Sequence, residues 1–300
     1  MEWHVEKDRV ILRNVTHFNL QQTFECGQCF RWRRLENGNW LGIARGRVVE
    51  VEQAGRDIIL YNTDQSDFLR IWYGYFDLGR DYGAVQRKLA QNDPVMQEAI
   101  AFAPGLRLLK QDFFETLISF IISQNNNIPR IKRIVECLAQ NYGRPVVYKE
   151  HILHTFPEAE VLGALSEESL RCIRAGYRAR YIIRASQQVQ ELDMDALERM
   201  DSGAVRQVLL ALHGVGGKVA DCVGLYSGLM PDAFPVDRWV RRVMETLYPG
   251  SGTTNEAIAA FARRKFGQLS GIAQQYLFYF ARENRIGMDK QGHETDLPTE

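Results

Sequence analysis

The hydrophobic period of this chain changes between Asn62 and Ser66, and that change limits the possible folds more than any other feature. From Cys29 to about Asn62 apolar and polar residues alternate through FRWRRLE, WLGIARGRVVEVE and RDIILYN, with Asn37-Gly38 and Ala54-Gly55 between them. Alternation sends successive side chains to opposite faces of a strand, and Asn-Gly supplies the positive φ of a tight hairpin, so an antiparallel sheet is expected. From Ser66 onward apolar residues return every three or four positions, as in QRKLAQNDPVMQEAI, DFFETLISFIIS and IPRIKRIVECLAQNYG. That spacing is a helix face. The expectation is an α+β protein: an N-terminal antiparallel sheet domain with covering helices over residues 1–110, then an all-α domain over residues 111–287. Residues 288–300 lack apolar periodicity and are expected to be a disordered tail.

Three hundred residues, 45% of them hydrophobic, suffice for two filled cores. Lys+Arg and Asp+Glu both number 37, so attraction to a polyanion must come from local charge. Arg171, Arg174, Arg178, Arg180 and Arg184 form an acid-free stretch, and smaller basic clusters lie at 130–133, 238–242 and 263–265. One basic face or several solvated helix faces would both fit this pattern. The longest apolar run, Leu117 to Ile122, falls far short of the roughly 18 residues of a membrane span, and MEWHVEKDRV has neither signal nor transit character. An intracellular protein without membrane contact is expected. Five scattered cysteines argue for reduced thiols, and Cys26-x-x-Cys29 lacks the second pair or nearby His of a zinc site, so no metal is expected.

The segment VLLALHGVGGKVADCVGLYSG reads as a helix, a turn through Gly214, Val215 and Gly216, and a second helix starting near Gly217. Such a turn directs backbone N–H groups outward at a helix N-terminus, where they can hold a phosphate without reading sequence. A plain αα-hairpin has the same pattern. Lys218 falls in the first turn of the second helix, where the positive end of the helix disfavours a cation and favours a nucleophilic neutral amine. A phosphate contact is its alternative role. Asp237 follows Phe234-Pro235-Val236 and precedes RWVRRVMETL, the place of a helix N-cap; one carboxylate can be both cap and catalyst.

The hairpin-Gly-Lys-x-Ala-Asp block followed by Pro-Val-Asp resembles the helix-hairpin-helix (HhH-GPD) DNA glycosylase superfamily. GQCFRW at 27–32, SQNNNIPRI at 123–131, GYRARY at 176–181 and GIAQQYLF at 271–278 are similar to its 8-oxoguanine DNA glycosylase branch. No Cys follows Cys222, so the iron–sulfur cluster of the endonuclease III type is absent. The resemblance implies an all-α glycosylase domain after the sheet and a cleft between the two. It also implies a monomer acting on double-stranded DNA that contains oxidised guanine, in the nucleoid or the nucleus according to source. By the same resemblance Lys218 attacks C1′ of a flipped nucleotide, Asp237 stabilises the developing charge, and β-elimination from the Schiff base cuts the strand. Gly27 then offers its carbonyl to N7–H of the lesion, Cys222 and Phe278 cover the two faces of the base, and Gln274 meets its Watson–Crick edge. Asn125, Arg130 and Arg178 read the opposite cytosine, Tyr177 wedges into the vacated stack, and Gly214, Val215, Gly216 and Trp239 meet phosphates. No cofactor is implied beyond a loosely held monovalent cation at the hairpin. Two positions depart from the family pattern: His213 stands where Pro is usual, and Trp239 where animal relatives carry a phosphate-contacting His. A glycosylase for another damaged purine, or a non-enzymatic DNA-damage-binding module, remains as an alternative.

Overall fold

A computed structural model describes residues 2–288. The expected tail at 288–300 lies outside the described residues except for Met288.

Six strands form one antiparallel sheet: β1 (Glu2–Glu6), β2 (Arg9–Arg13), β3 (Trp32–Arg34), β4 (Trp40–Ala44), β5 (Arg47–Ala54) and β6 (Asp57–Tyr61), in the order β1-β2-β6-β5-β4-β3. The sheet therefore begins well before Cys29. Its first turn is made by Lys7 at φ +54, and a left-handed lysine carries no turn signature. WLGIARGRVVEVE is two strands, not one, because Arg45 and Gly46 both take positive φ and reverse the chain. At Asn37-Gly38 only Gly38 is left-handed, and Leu35 N–H reaches the Asn39 carbonyl at 2.8 Å, so this hairpin has a three-residue loop. One sheet face packs on the short helix α1 (Leu20–Glu25) and on the helical turns at 65–75, where the Phe24 and Trp32 rings stack at 3.9 Å among Trp40, Trp72 and Phe76.

Helices follow at α2 (Tyr82–Ala90), α3 (Pro94–Phe102), α4 (Phe113–Ser123), α5 (Ile128–Tyr142), α6 (Arg178–Val189), α7 (Ser202–Ala211), α8 (Gly217–Ser227), α9 (Arg238–Leu247), α10 (Asn255–Phe266) and α11 (Ser270–Glu283). Their starts are written in the sequence. Asp81, Asp93, Asp112, Asn127, Asp201, Asp237 and Thr254 each cap a helix through a side-chain oxygen.

Two features differ from the expected architecture. The second domain is not all-α: β7 (Pro145–Tyr148) and β8 (His151–His154) form a hairpin around Lys149 at φ +51, again a turn without Gly or Asn. Tyr148 and Leu153 lay this hairpin on the outer sheet face against Leu41, Ile43 and Val48. The packing also does not divide at residue 110. The sheet core ends near Leu78 and takes back only Leu109, whereas Tyr82, Val85, Leu89, Met96 and Ala99 of α2 and α3 belong to the large helical core. α3 packs on α11, and α2 packs on α3 while Gln86 Nε2 donates to Tyr276 Oη at 2.9 Å.

Candidate active site

The hairpin forms as its residues dictate. Gly214 has φ +81, and the Tyr181 ring leaves no room for a Cβ there. Its carbonyl accepts from Gln124 Nε2 at 3.0 Å. His213 is held at the turn: its N–H, which proline would lack, donates to Gln188 Oε1 at 2.7 Å, and its ring meets Tyr181 edge-on at 5.3 Å. Gly216 caps α8 without a side chain, so the cap itself supplies no acceptor to the first-turn N–H groups.

Lys218 projects from that first turn toward α4. Its Nζ is 3.4 Å from Ser123 Oγ and 5.1 Å from the centre of the Phe120 ring. One turn on, Cys222 is buried, and burial pushes its thiol up to about 11 against the pull of the Lys218 charge. Asp237 caps α9, accepting from Val240 N–H at 2.8 Å. Burial raises its carboxyl above the ordinary value, opposed by that N–H and by the Lys218 charge. An amine, a thiol and a carboxyl therefore share one electrostatic environment.

α11 meets the loop after α1 and the segment before α9. Gln274 is buried; its Nε2 donates to the Pro235 carbonyl at 3.2 Å, while Oε1 has no partner among the described residues. Phe278 is half-buried and lies against Gly27, where an added Cβ would stand 2.9 Å from Cε1 of its ring. At φ +86, Gly27 also disfavours other residues on backbone grounds. Gln275 Nε2 donates to the Cys26 carbonyl at 3.0 Å and its Oε1 accepts from Tyr226 O–H at 2.7 Å, while Arg282 Nη2 donates to the Glu25 carbonyl at 2.7 Å. Gln28 seals the far side, accepting from Leu109 N–H at 2.8 Å and donating to the Thr23 and Arg107 carbonyls. Sequence reading missed Gln275, Arg282, Phe120 and Ser123. Extending the four-residue spacing of Gln274 and Phe278 by one step would have found Arg282. Cys26 and Cys29 face different cores, their thiols donating to the Thr23 and Phe24 carbonyls at 3.2 and 3.6 Å.

A second group of residues lines the neighbouring face. Asn125, at φ +47, and Arg130, in the first turn of α5, are both exposed. Tyr177 is 52% exposed and stands edge-on to Tyr181 at 5.7 Å. Arg178 turns inward instead: it is buried, and its guanidinium donates to the carbonyls of Gln124, Asn125 and Ala175. It shapes the Asn125 loop from beneath. Trp239 is half-buried at the edge of the helical core, its ring centre 5.1 Å from the Arg242 guanidinium. Among the described residues, no His, Cys, Asp and Glu group could hold a metal ion, and no helix is long and apolar enough to cross a membrane.

Lys218 and Asp237 beside a glycine hairpin, with Gly27 of the sheet part set against Phe278 of the helical part, fit a helix-hairpin-helix protein of the base-excision class. Comparison with known proteins agrees. The 8-oxoguanine DNA glycosylase N-terminal domain matches residues 10–117, and the HhH-GPD superfamily of base excision DNA repair proteins matches residues 118–268. A probable N-glycosylase/DNA lyase of Methanothermobacter thermautotrophicus is 37% identical over 91% of this chain and 96% of its own length. N-glycosylase/DNA lyase OGG1 of Arabidopsis thaliana is 30% identical over 88% of this chain and 77% of its own. The Clostridium acetobutylicum 8-oxoguanine glycosylase/lyase, solved with double-stranded DNA containing cytosine opposite 8-oxoG, is 42% identical, with a TM-score of 0.91 over 95% of this chain and 99% of that one. The chain belongs to the 8-oxoguanine DNA glycosylase branch of the HhH-GPD superfamily. It is a DNA N-glycosylase and lyase of base excision repair.

Proposed function

We propose that this enzyme removes 8-oxoguanine lying opposite cytosine in duplex DNA and cuts the strand through a Schiff base on Lys218. One observation carries the reading: Gly27 lies against Phe278 while Gln274, one turn earlier on the same helix, keeps a buried amide oxygen unpaired. Such an oxygen costs about 1–3 kcal/mol, which a base bearing N–H donors on its Watson–Crick edge would return. 8-Oxoguanine carries a hydrogen on N7 where guanine has a lone pair, so the Gly27 carbonyl accepts from the lesion and repels the normal base.

The chemistry follows from the neighbours of Lys218. Once it has given up a proton, the Lys218 amine attacks C1′ of the extruded nucleotide as the base departs and takes up a proton, and Asp237 stabilises the positive charge growing on the sugar. Loss of the amine proton and ring opening give the Schiff base; removal of a 2′ proton then expels the 3′ phosphate. Cys222, a stronger nucleophile when ionised, stays protonated because burial holds its thiol near 11, so it serves as an apolar wall. The exposed Asn125 and Arg130 suit the acceptor and donor edge of cytosine, and Tyr177 suits the gap left in the stack. Arg178 acts in this reading by holding the Asn125 loop. No step needs a cofactor; a monovalent cation would meet the Leu212 and Gly214 carbonyls, each with a lone pair left after its bond from Val215 N–H or Gln124 Nε2. A duplex substrate puts the enzyme with the genome.

Borohydride trapping on a duplex with 8-oxoguanine opposite cytosine tests the reading. Wild type is expected to cross-link to the damaged duplex and not to the undamaged one, and Lys218→Gln to bind without cross-linking. Wild type that binds but neither cross-links nor releases base would leave a damage-binding module. Release of a different purine from a panel of lesions would reassign the substrate.

A further inference from the structure

Gln274, Phe278 and Arg282 stand four residues apart on α11 and share a face. The first two are the base-facing residues of the reading above. Arg282 has a different neighbourhood: Nη2 donates to the Glu25 carbonyl at 2.7 Å, Nε donates to Glu283 at 2.8 Å, and the guanidinium carbon lies 5.4 Å from the centre of the Phe278 ring. A Cβ built on Gly27 would stand 3.0 Å from Nη1. Nη1 is itself buried and has no acceptor among the described residues. A guanidinium only donates, and a buried charged donor without a partner is the most costly kind to leave unpaired. An acceptor on a bound molecule would relieve that cost.

We infer that Arg282 is a specificity-determining residue of the lesion pocket, an inference that rests on the reading of Gly27 and Phe278 as its walls. Nη2 holds the chain leading into Gly27, and so sets where the Gly27 carbonyl points. Nη1 is left for an oxygen on the bound base. In 8-oxoguanine the atom next to N7 is C8, whose keto oxygen accepts; in guanine the same carbon carries a hydrogen and offers nothing. The lesion therefore pairs both the Gly27 carbonyl and Nη1, whereas guanine leaves both unpaired, and discrimination by two buried polar groups exceeds that by one. The guanidinium on the Phe278 ring fixes the slope of the surface on which the base stacks.

The test separates base recognition from chemistry. Single-turnover rates are measured for wild type, Arg282→Met and Arg282→Lys on two duplexes, one with 8-oxoguanine and one with a preformed abasic site, each opposite cytosine. Arg282→Met keeps a stem on Phe278 and removes every donor of the guanidinium; it is expected to slow 8-oxoguanine release at least tenfold and to leave abasic-strand cutting within twofold of wild type. Arg282→Lys keeps charge but cannot serve both acceptors, and should fall between. Release of 8-oxoguanine within twofold of wild type overturns the inference. So does parallel loss on both duplexes together with a lowered melting temperature, which marks an arginine needed only for folding. Should the Met variant fail to fold, the Lys variant carries the same comparison. A wild type that cuts the abasic duplex and spares 8-oxoguanine removes the substrate reading itself.

Discussion

At Asp237 a helix cap carries a carboxyl with a raised pKa. The residue is where it is because Oδ1 accepts from Val240 N–H, and the same position buries the carboxyl, raising its pKa despite that N–H and the Lys218 charge. A carboxyl whose folded pKa lies above the unfolded value of about 3.9 binds its proton more tightly when folded. Its ionisation costs stability, and the cost is fully present above the folded pKa. Asp237→Asn keeps the cap and removes the charge. Base excision is expected to fall about a hundredfold or more, as when one charge-stabilising group is lost, while the melting temperature at pH 7 stays level or rises. The gap between the two melting temperatures should close as pH drops toward 4; a marked fall for the variant at pH 7 would sink this account. The cap was legible from the residues around Asp237, but the burial was not, because nothing local says which core lies across from it.

At the scale of elements, the β7–β8 hairpin fastens the helical part to the sheet through one carboxylate. Burial alone would raise the Glu50 pKa, but hydrogen bonds from Lys149 at 2.6 Å, Asn39 at 2.7 Å, Tyr148 at 2.9 Å and Asn37 at 3.1 Å outweigh it and hold the value at about 2. A lowered carboxylate contributes stability above its unfolded pKa of about 4.3 and loses it as pH falls through the folded value. Glu50→Gln is expected to cost about 1–3 kcal/mol at pH 7 and to speed amide exchange across residues 145–154. The difference should fade in acid. Unchanged exchange in the hairpin would show that Tyr148 and Leu153 fasten it without the carboxylate. The long helices were readable because their caps and apolar spacings lie within a turn or two of each other. This hairpin was not, since Lys149 takes a left-handed turn that neighbouring residues do not announce.

Over the whole molecule, formal charge is zero, so attraction to DNA depends on where basic groups gather. Even three phosphate contacts would lower duplex affinity about fortyfold between 50 and 200 mM salt. A titration that changes less than twofold over that range would remove the helix-hairpin face as an electrostatic grip. The sequence by itself determined the two hydrophobic periods, the capped helices, the glycine hairpin, Lys218 in the helix that follows it and Asp237 at a later helix cap, because each depends on residues close together in the chain. Only the tertiary structure decided that Gly27 meets Phe278, that Arg282 reaches the Glu25 carbonyl, that Arg178 turns inward, and that α2 and α3 join the helical core. Periodicity marks which face of an element is buried; the surface it meets is chosen by packing between segments far apart in sequence.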